Sequence, residues 1–207
     1  MGSTARKLDI NKKYSYADYL TWSDDERWEL IDGVPYNMSP APAINHQRIS
    51  VELVRQIANY LIDKTCEVFD APVDVRFPRG KNKNDKEIFD VVQPDIIVVC
   101  DKDKIEDDRS CLGAPDIVTE ILSPSSASRD VIKKRRLYEK NKVKQYWIVD
   151  PQEKEIYIYT LQDNGKYGDP GEYTISDKIK VHGFEGLEID VNLVFGKRLK
   201  ETGEKTG

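Results

Sequence analysis

The chain has 207 residues, of which 39% are apolar and 9% aromatic, enough large side chains to fill one core and too many for global disorder. Its longest apolar runs, such as 96–100, fall far short of the roughly 18 residues that span a bilayer, which argues against a transmembrane helix and a membrane partner. The net charge of −5 excludes a uniformly basic coat for nucleic acid, so any such contact must be local.

In chain order, residues 1–13 and 197–207 are polar and are expected to be tails on one domain spanning 14–196. Residues 16–22 read as a short helix with Ser15 as its N-cap. The Asp32-Gly33 pair predicts a hairpin over 28–38. Ile49, Leu53, Val54, Ile57, Ala58, Leu61 and Ile62 recur at three- and four-residue spacing, which predicts a helix over about 43–63. Short strands are expected at 67–69 and 73–77, followed by a charged loop over 79–87. Segments 94–100 and 116–122 are short, rich in β-branched residues and bounded by Pro, Gly and Ser, as buried strands are. Serines at 123–128 offer caps for a helix reaching about residue 141, and strands at 146–150 and 155–161 form a second hairpin through Pro151. The sum is an α+β fold with a mixed sheet. The 157–159 stretch offers an edge through which a homodimer could pair. Cys66, Cys100 and Cys111 are odd in number and lack Cys-x-x-Cys spacing, which argues against a disulfide framework or a zinc ribbon. With no apolar stretch behind the first charges, this reads as a cytoplasmic protein in a reducing compartment.

Nucleotide loops, dinucleotide fingerprints and the hydrolase elbow are missing from the sequence. Only His46 and His182 could serve histidine-dependent chemistry, and a lone histidine more often has a structural role. The carboxylates say more. On a strand over 116–122, Glu120 shares its face with Val118 and Leu122, an acid on an apolar stripe that needs a cation, a metal or hydrogen bonds to offset burial. Asp95 heads the preceding apolar strand. Taken singly, Asp95 could cap a turn and Glu120 could pair with an arginine such as Arg76. On neighbouring strands the two could instead converge on one divalent ion, and oxygen ligands of this kind suit Mg²⁺ or Mn²⁺. Such a site could support phosphodiester hydrolysis. Between 133 and 144 stand seven cations against one acid, Glu139, making Lys133, Arg135 and Arg136 candidate DNA contacts or simply a solvated helix face.

Pro94-Asp95 followed 25 residues later by Glu120 on a second apolar strand resembles the PD-(D/E)XK nuclease motif. With Trp28 to Gly33, Pro94 to Val99, Ala114 to Pro124, Asp130 with Lys134 and Tyr138, and Tyr146 to Pro151 in this order, residues 14–195 resemble the Uma-two family of proposed bacterial restriction endonucleases. The resemblance implies a restriction-endonuclease-like mixed β-sheet flanked by helices, Asp95 and Glu120 as metal ligands, and Glu29 as an earlier acid. One departure stands out: the position two after Glu120 is Leu122, where the motif has lysine. The resemblance moves that lysine to Lys134 on the following helix, with Lys133 its neighbouring alternative, and Gln145 stands where the family has an acid. The expected function is Mg²⁺-dependent endonucleolytic cleavage of DNA; the alternative is a non-catalytic DNA-binding or assembly module on the same fold.

Overall fold

A computed structural model describes residues 8–9, 11–22, 27–38, 43–80, 83–105, 109–123 and 129–196. The expected C-terminal tail, most of the N-terminal one and the capping serines at 125, 126 and 128 lie outside these residues. Helix α1 (Tyr16–Tyr19) starts at Ser15 with a reciprocal capping box to Asp18, as the sequence suggested. Strands β1 (Trp28–Ile31) and β2 (Val34–Asn37) form the expected hairpin. Its two turn residues, Asp32 and Gly33, both have positive φ, the requirement of a tight turn that matches strand twist. At Gly33 a side chain would also meet the Lys13 Cβ at 3.0 Å.

Helix α2 (Ile44–Leu61) buries Ile49, Leu53, Ile57 and Leu61, one residue per turn along a single face. There follow β3 (Glu67–Asp70), β4 (Asp74–Phe77), β5 (Asp90–Val92), β6 (Ile96–Val99), β7 (Ser110–Leu112) and β8 (Ile117–Ile121). Helix α3 (Arg129–Lys140) leads to β9 (Gln145–Asp150) and β10 (Glu155–Thr160). The chain closes with β11 (Gly171–Tyr173), β12 (Lys178–Lys180), β13 (Glu188–Asp190) and α4 (Val191–Phe195).

The α+β expectation holds, but the strands divide between two principal sheets and a small hairpin. One sheet runs β2-β1-β5-β4-β7, the other β11-β10-β9-β8-β6-β3, and β12 pairs with β13. Parallel pairs occur at β8·β9, joined through α3, and at β4·β7. Strand alternation in the six-stranded sheet supplies two cores. Ile96, Val98, Ile117, Ile121, Trp147 and Val149 face α2, while Ile97, Val99, Val118, Tyr146 and Ile148 face α3 and the five-stranded sheet through Leu137, Tyr138, Val75 and Phe77. Each such Ile or Leu contributes about 1.5–3 kcal/mol relative to exposure, which fixes the register and with it the face of every polar residue between them.

Two expectations are corrected here. The 157–159 stretch is not a sheet edge, because β10 is paired on both sides, by β9 and β11. Cys66 and Cys100 form a disulfide: they flank β3 and β6, whose register Glu67↔Val99 continues one step to bring them face to face. Cys111 remains a buried thiol, its pKa pushed up to about 12 by burial.

Candidate active site

The β6·β8 pair runs antiparallel with Ile96 opposite Thr119, so continuing one residue sets Asp95 across from Glu120. Asp95 is held from several sides. Its Oδ2 accepts the Ile121 backbone N–H at 2.7 Å, and its carbonyl accepts that of Ala71 at 2.9 Å. His46, in the first turn of α2, brings Nε2 to 3.2 Å from the same Oδ2. That contact is the chief reason the imidazole pKa is raised, against the opposing effect of burial.

Glu120 points to the α3 side of the sheet. Lys134 and Tyr138 lie one helical turn apart on the same face of α3, and both reach it. Lys134 Nζ donates to Oε1 at 2.9 Å and Oε2 at 3.1 Å, and Tyr138 Oη donates to Oε1 at 2.6 Å. Glu29, from β1 of the other sheet, completes the group: its Oε1 lies 2.8 Å from Lys134 Nζ and accepts the Gln93 N–H at 2.9 Å. The side chains of Lys134, Glu29 and Glu120 are only 10%, 8% and 13% exposed.

One ammonium is thus shared between two buried carboxylates, with a third across the strand. Burial pushes the Glu120 pKa up to about 7; Glu29 and Asp95 add to the rise, and Lys134 and Tyr138 oppose it. Burial works against the Lys134 charge, but Glu120 and Glu29 outweigh it and raise its pKa. The Tyr138 hydroxyl is raised far above its ordinary range by burial and by the same carboxylates.

Among the described residues no group of three or more His, Cys, Asp or Glu forms a ready-made metal cage. The donor chemistry nonetheless fits Mg²⁺ or Mn²⁺. Asp95 and Glu120 offer hard oxygens, and Mg²⁺ is commonly held by one or two carboxylates, with waters and substrate phosphate completing its shell. An excess of buried carboxylate over cation is also what a divalent ion would offset.

The four acid and lysine residues singled out in the sequence, Glu29, Asp95, Glu120 and Lys134, therefore meet in one place. The cation on Glu120 is Lys134, while Arg76 pairs with Asp85 at 3.0 Å. Lys133 points elsewhere, its Nζ 4.5 Å from the Tyr36 ring centroid and 3.2 Å from the Tyr36 hydroxyl. The cationic stretch is less open than its composition suggested: Lys140 pairs with Asp90 at 3.3 Å, Lys144 with Asp116 at 2.6 Å, and Lys142 donates to the Gly165 carbonyl at 2.9 Å. Arg135 and Arg136 are exposed, with Arg135 lying over the Tyr159 ring. Gln145 stays outside the acid cluster, bonded to Trp147 and the His182 carbonyl. Sequence reasoning named His46 but favoured a structural role for it, and matched Tyr138 to the family without giving its hydroxyl a part in the site. The second had a signal in its spacing four residues after Lys134, whereas His46 meets Asp95 only through the fold.

A sheet with neighbouring acids, helices on its flanks and a lysine turned in from the next helix defines a restriction-endonuclease-like protein. The profile of the Uma2 (Uma-two) family, described as "Putative restriction endonuclease", matches residues 16–192, and the chain belongs to that family. It is similar to an "Uncharacterized protein slr1290" of Synechocystis sp., 29% identical over 186 residues that cover 88% of this chain and 92% of the relative. The fold is similar to a crystal structure of "a putative nuclease belonging to DUF820" from Anabaena variabilis, with a TM-score of 0.70, 20% identity, and coverage of 88% of this chain and 97% of the other.

Proposed function

We propose that residues 14–196 act as one domain, a Mg²⁺- or Mn²⁺-dependent endonuclease that hydrolyses phosphodiester bonds in DNA. The observation that carries this reading is the single buried ammonium of Lys134 shared by Glu29 and Glu120, with Asp95 across from Glu120 on the neighbouring strand. For purely structural purposes a well-packed apolar cluster would be as stable, since desolvating charges costs several kcal/mol each. Chemistry at a phosphate explains the arrangement better.

Asp95 and Glu120 would hold the ion, which would polarise a phosphoryl oxygen and lower the pKa of a water. The protein's own contribution is positioning. The Ile121 N–H and His46 fix the Asp95 carboxylate, and Tyr138 holds one oxygen of Glu120. Lys134, kept charged by its two carboxylates, stabilises negative charge building on the phosphoryl oxygens. Glu29 holds Lys134 from the opposite sheet. Lys133, Arg135 and Arg136 would contact the DNA backbone.

The non-catalytic alternative draws on one observation: Lys134 already bonds both carboxylates, which ties the two sheets together as a structural clasp would. Incubating supercoiled plasmid with the protein in Mg²⁺, Mn²⁺ or EDTA decides between them. Nicking that requires the metal and disappears in Glu120→Gln is expected. DNA binding without cleavage in either metal would assign the chain to the alternative.

A further inference from the structure

The acid cluster has a neighbour with no part in the chemistry proposed for it. Tyr36 stands directly opposite Glu29 in the β1·β2 ladder, and cross-strand partners project to the same side of a sheet. Glu29 is buried, whereas Tyr36 is half-buried, so the ring leads from the cluster toward solvent. From the facing helix, Lys134 turns in to Glu29 and the adjacent Lys133 turns out to Tyr36, with Nζ 4.5 Å from the ring centroid. Lys133 is exposed and, among the described residues, has no carboxylate partner, unlike Lys140 and Lys144 on the same stretch. Among the described residues its charge is therefore met by a π-face and a hydroxyl alone, both weaker partners than phosphate.

We infer that Tyr36 and Lys133 form a nucleotide-binding step at the mouth of the site, and that the preferred substrate is single-stranded or locally opened DNA. This rests on the nuclease reading and names its substrate class. A phosphate next to the cleaved bond draws the Lys133 ammonium away from the ring, and the ring so exposed stacks on the base of that nucleotide. Every base has a π-face, so such a contact is tolerant of sequence. It requires a base free of its partner, which closed duplex does not provide.

Binding measured in EDTA tests this without reference to cleavage, using the full chain and a fluorescently labelled oligonucleotide as single strand and as duplex. Tyr36→Leu should weaken single-strand binding about tenfold, within the range of one base–aromatic stack, and leave duplex binding unchanged. Tyr36→Phe, which keeps the ring, should stay close to wild type. Wild-type protein should show at least that loss on a single strand that is abasic throughout, a measurement that needs no variant to fold. Equal losses on single strand and duplex, no loss at all, or no single-strand binding by the wild type would overturn the inference. Stacking with no metal-dependent cleavage would instead sink the nuclease reading, and the substrate assignment with it, and leave only the Tyr36–Lys133 nucleotide contact standing.

Discussion

His46 Nε2 lies 3.2 Å from Asp95 Oδ2, tying the first turn of α2 to the residue that leads into β6. The hydrogen bond to Asp95 raises the imidazole pKa above its ordinary value. A histidine with a raised folded pKa stabilises most below its unfolded pKa, near 6.5, and loses that contribution as pH climbs through the folded value. His46→Gln should therefore lower stability by up to about 1 kcal/mol at pH 5.5 and by less at pH 9. Calorimetric Tm values for the two proteins at both pH values check this. A deficit that does not change with pH would reduce His46 to a packing role.

Glu120 gives the same direction of pH dependence, but here it is the ionised form that burial disfavours. Its folded pKa, pushed up to about 7, exceeds the ordinary carboxyl value of 4.5, so between those values the folded chain binds more protons than the unfolded one. This group's contribution consequently declines as pH rises from about 4.5 to 7. In EDTA at pH 8, Glu120→Gln should melt higher than wild type, and the gap should close near pH 5. Mg²⁺ should raise the wild-type Tm more at pH 8 than at pH 6, because ligation needs the ionised carboxylate, and should leave the variant unmoved. A Glu120→Gln protein that melts lower at pH 8 would mark the carboxylate as a net structural stabiliser.

Local pattern made much of this site legible. The Asp32-Gly33 turn placed the hairpin that carries Glu29, and apolar alternation placed Glu120 and Val118 on one face of β8. What stayed hidden depends on pairings between distant segments. Strands β5 and β7 have three residues each, all buried, so they show no alternation to read. The split into two sheets follows from those strands and was hidden with them. The disulfide depends on the β3·β6 register, which cysteine spacing does not encode. Tyr36 looked like any hairpin residue until the ladder set it opposite Glu29.

The cations of α3 and its C-terminal extension should separate by their partners. Lys140 and Lys144 already hold Asp90 and Asp116, so using them on phosphate means breaking those pairs. Lys133, Arg135 and Arg136 carry no such commitment to a carboxylate among the described residues. Replacing all three with Ala should reduce the slope of log K against log salt for DNA binding by about 0.9 for each phosphate left unneutralised, roughly 2 to 3 in total. The Lys140→Ala, Lys144→Ala double variant should shift that slope by less than about 1. Equal effects from the two variants would show the whole stretch acting as a diffuse patch.

Lys134 and Lys133 offer the sharpest comparison, because adjacent helical residues point about 100° apart and here meet opposite surroundings. Lys134→Met keeps the length of the stem but leaves Glu29 and Glu120 buried without their ammonium. Breaking a buried pair in this way costs about 3 kcal/mol, and the cost should be smaller at pH 6, where Glu120 takes up a proton more readily. Assays must therefore run well below the variant's Tm. Under those conditions cleavage should fall about a hundredfold or more, since removing a donor aimed at developing oxyanion charge costs roughly 3 kcal/mol at about 1.4 kcal/mol per decade. Lys133→Met should leave Tm where it was and weaken DNA binding, with the rate at saturating DNA little changed. If Lys133→Met instead removes cleavage while Lys134→Met only lowers Tm, Lys134 is a clasp between the sheets and the catalytic ammonium is Lys133.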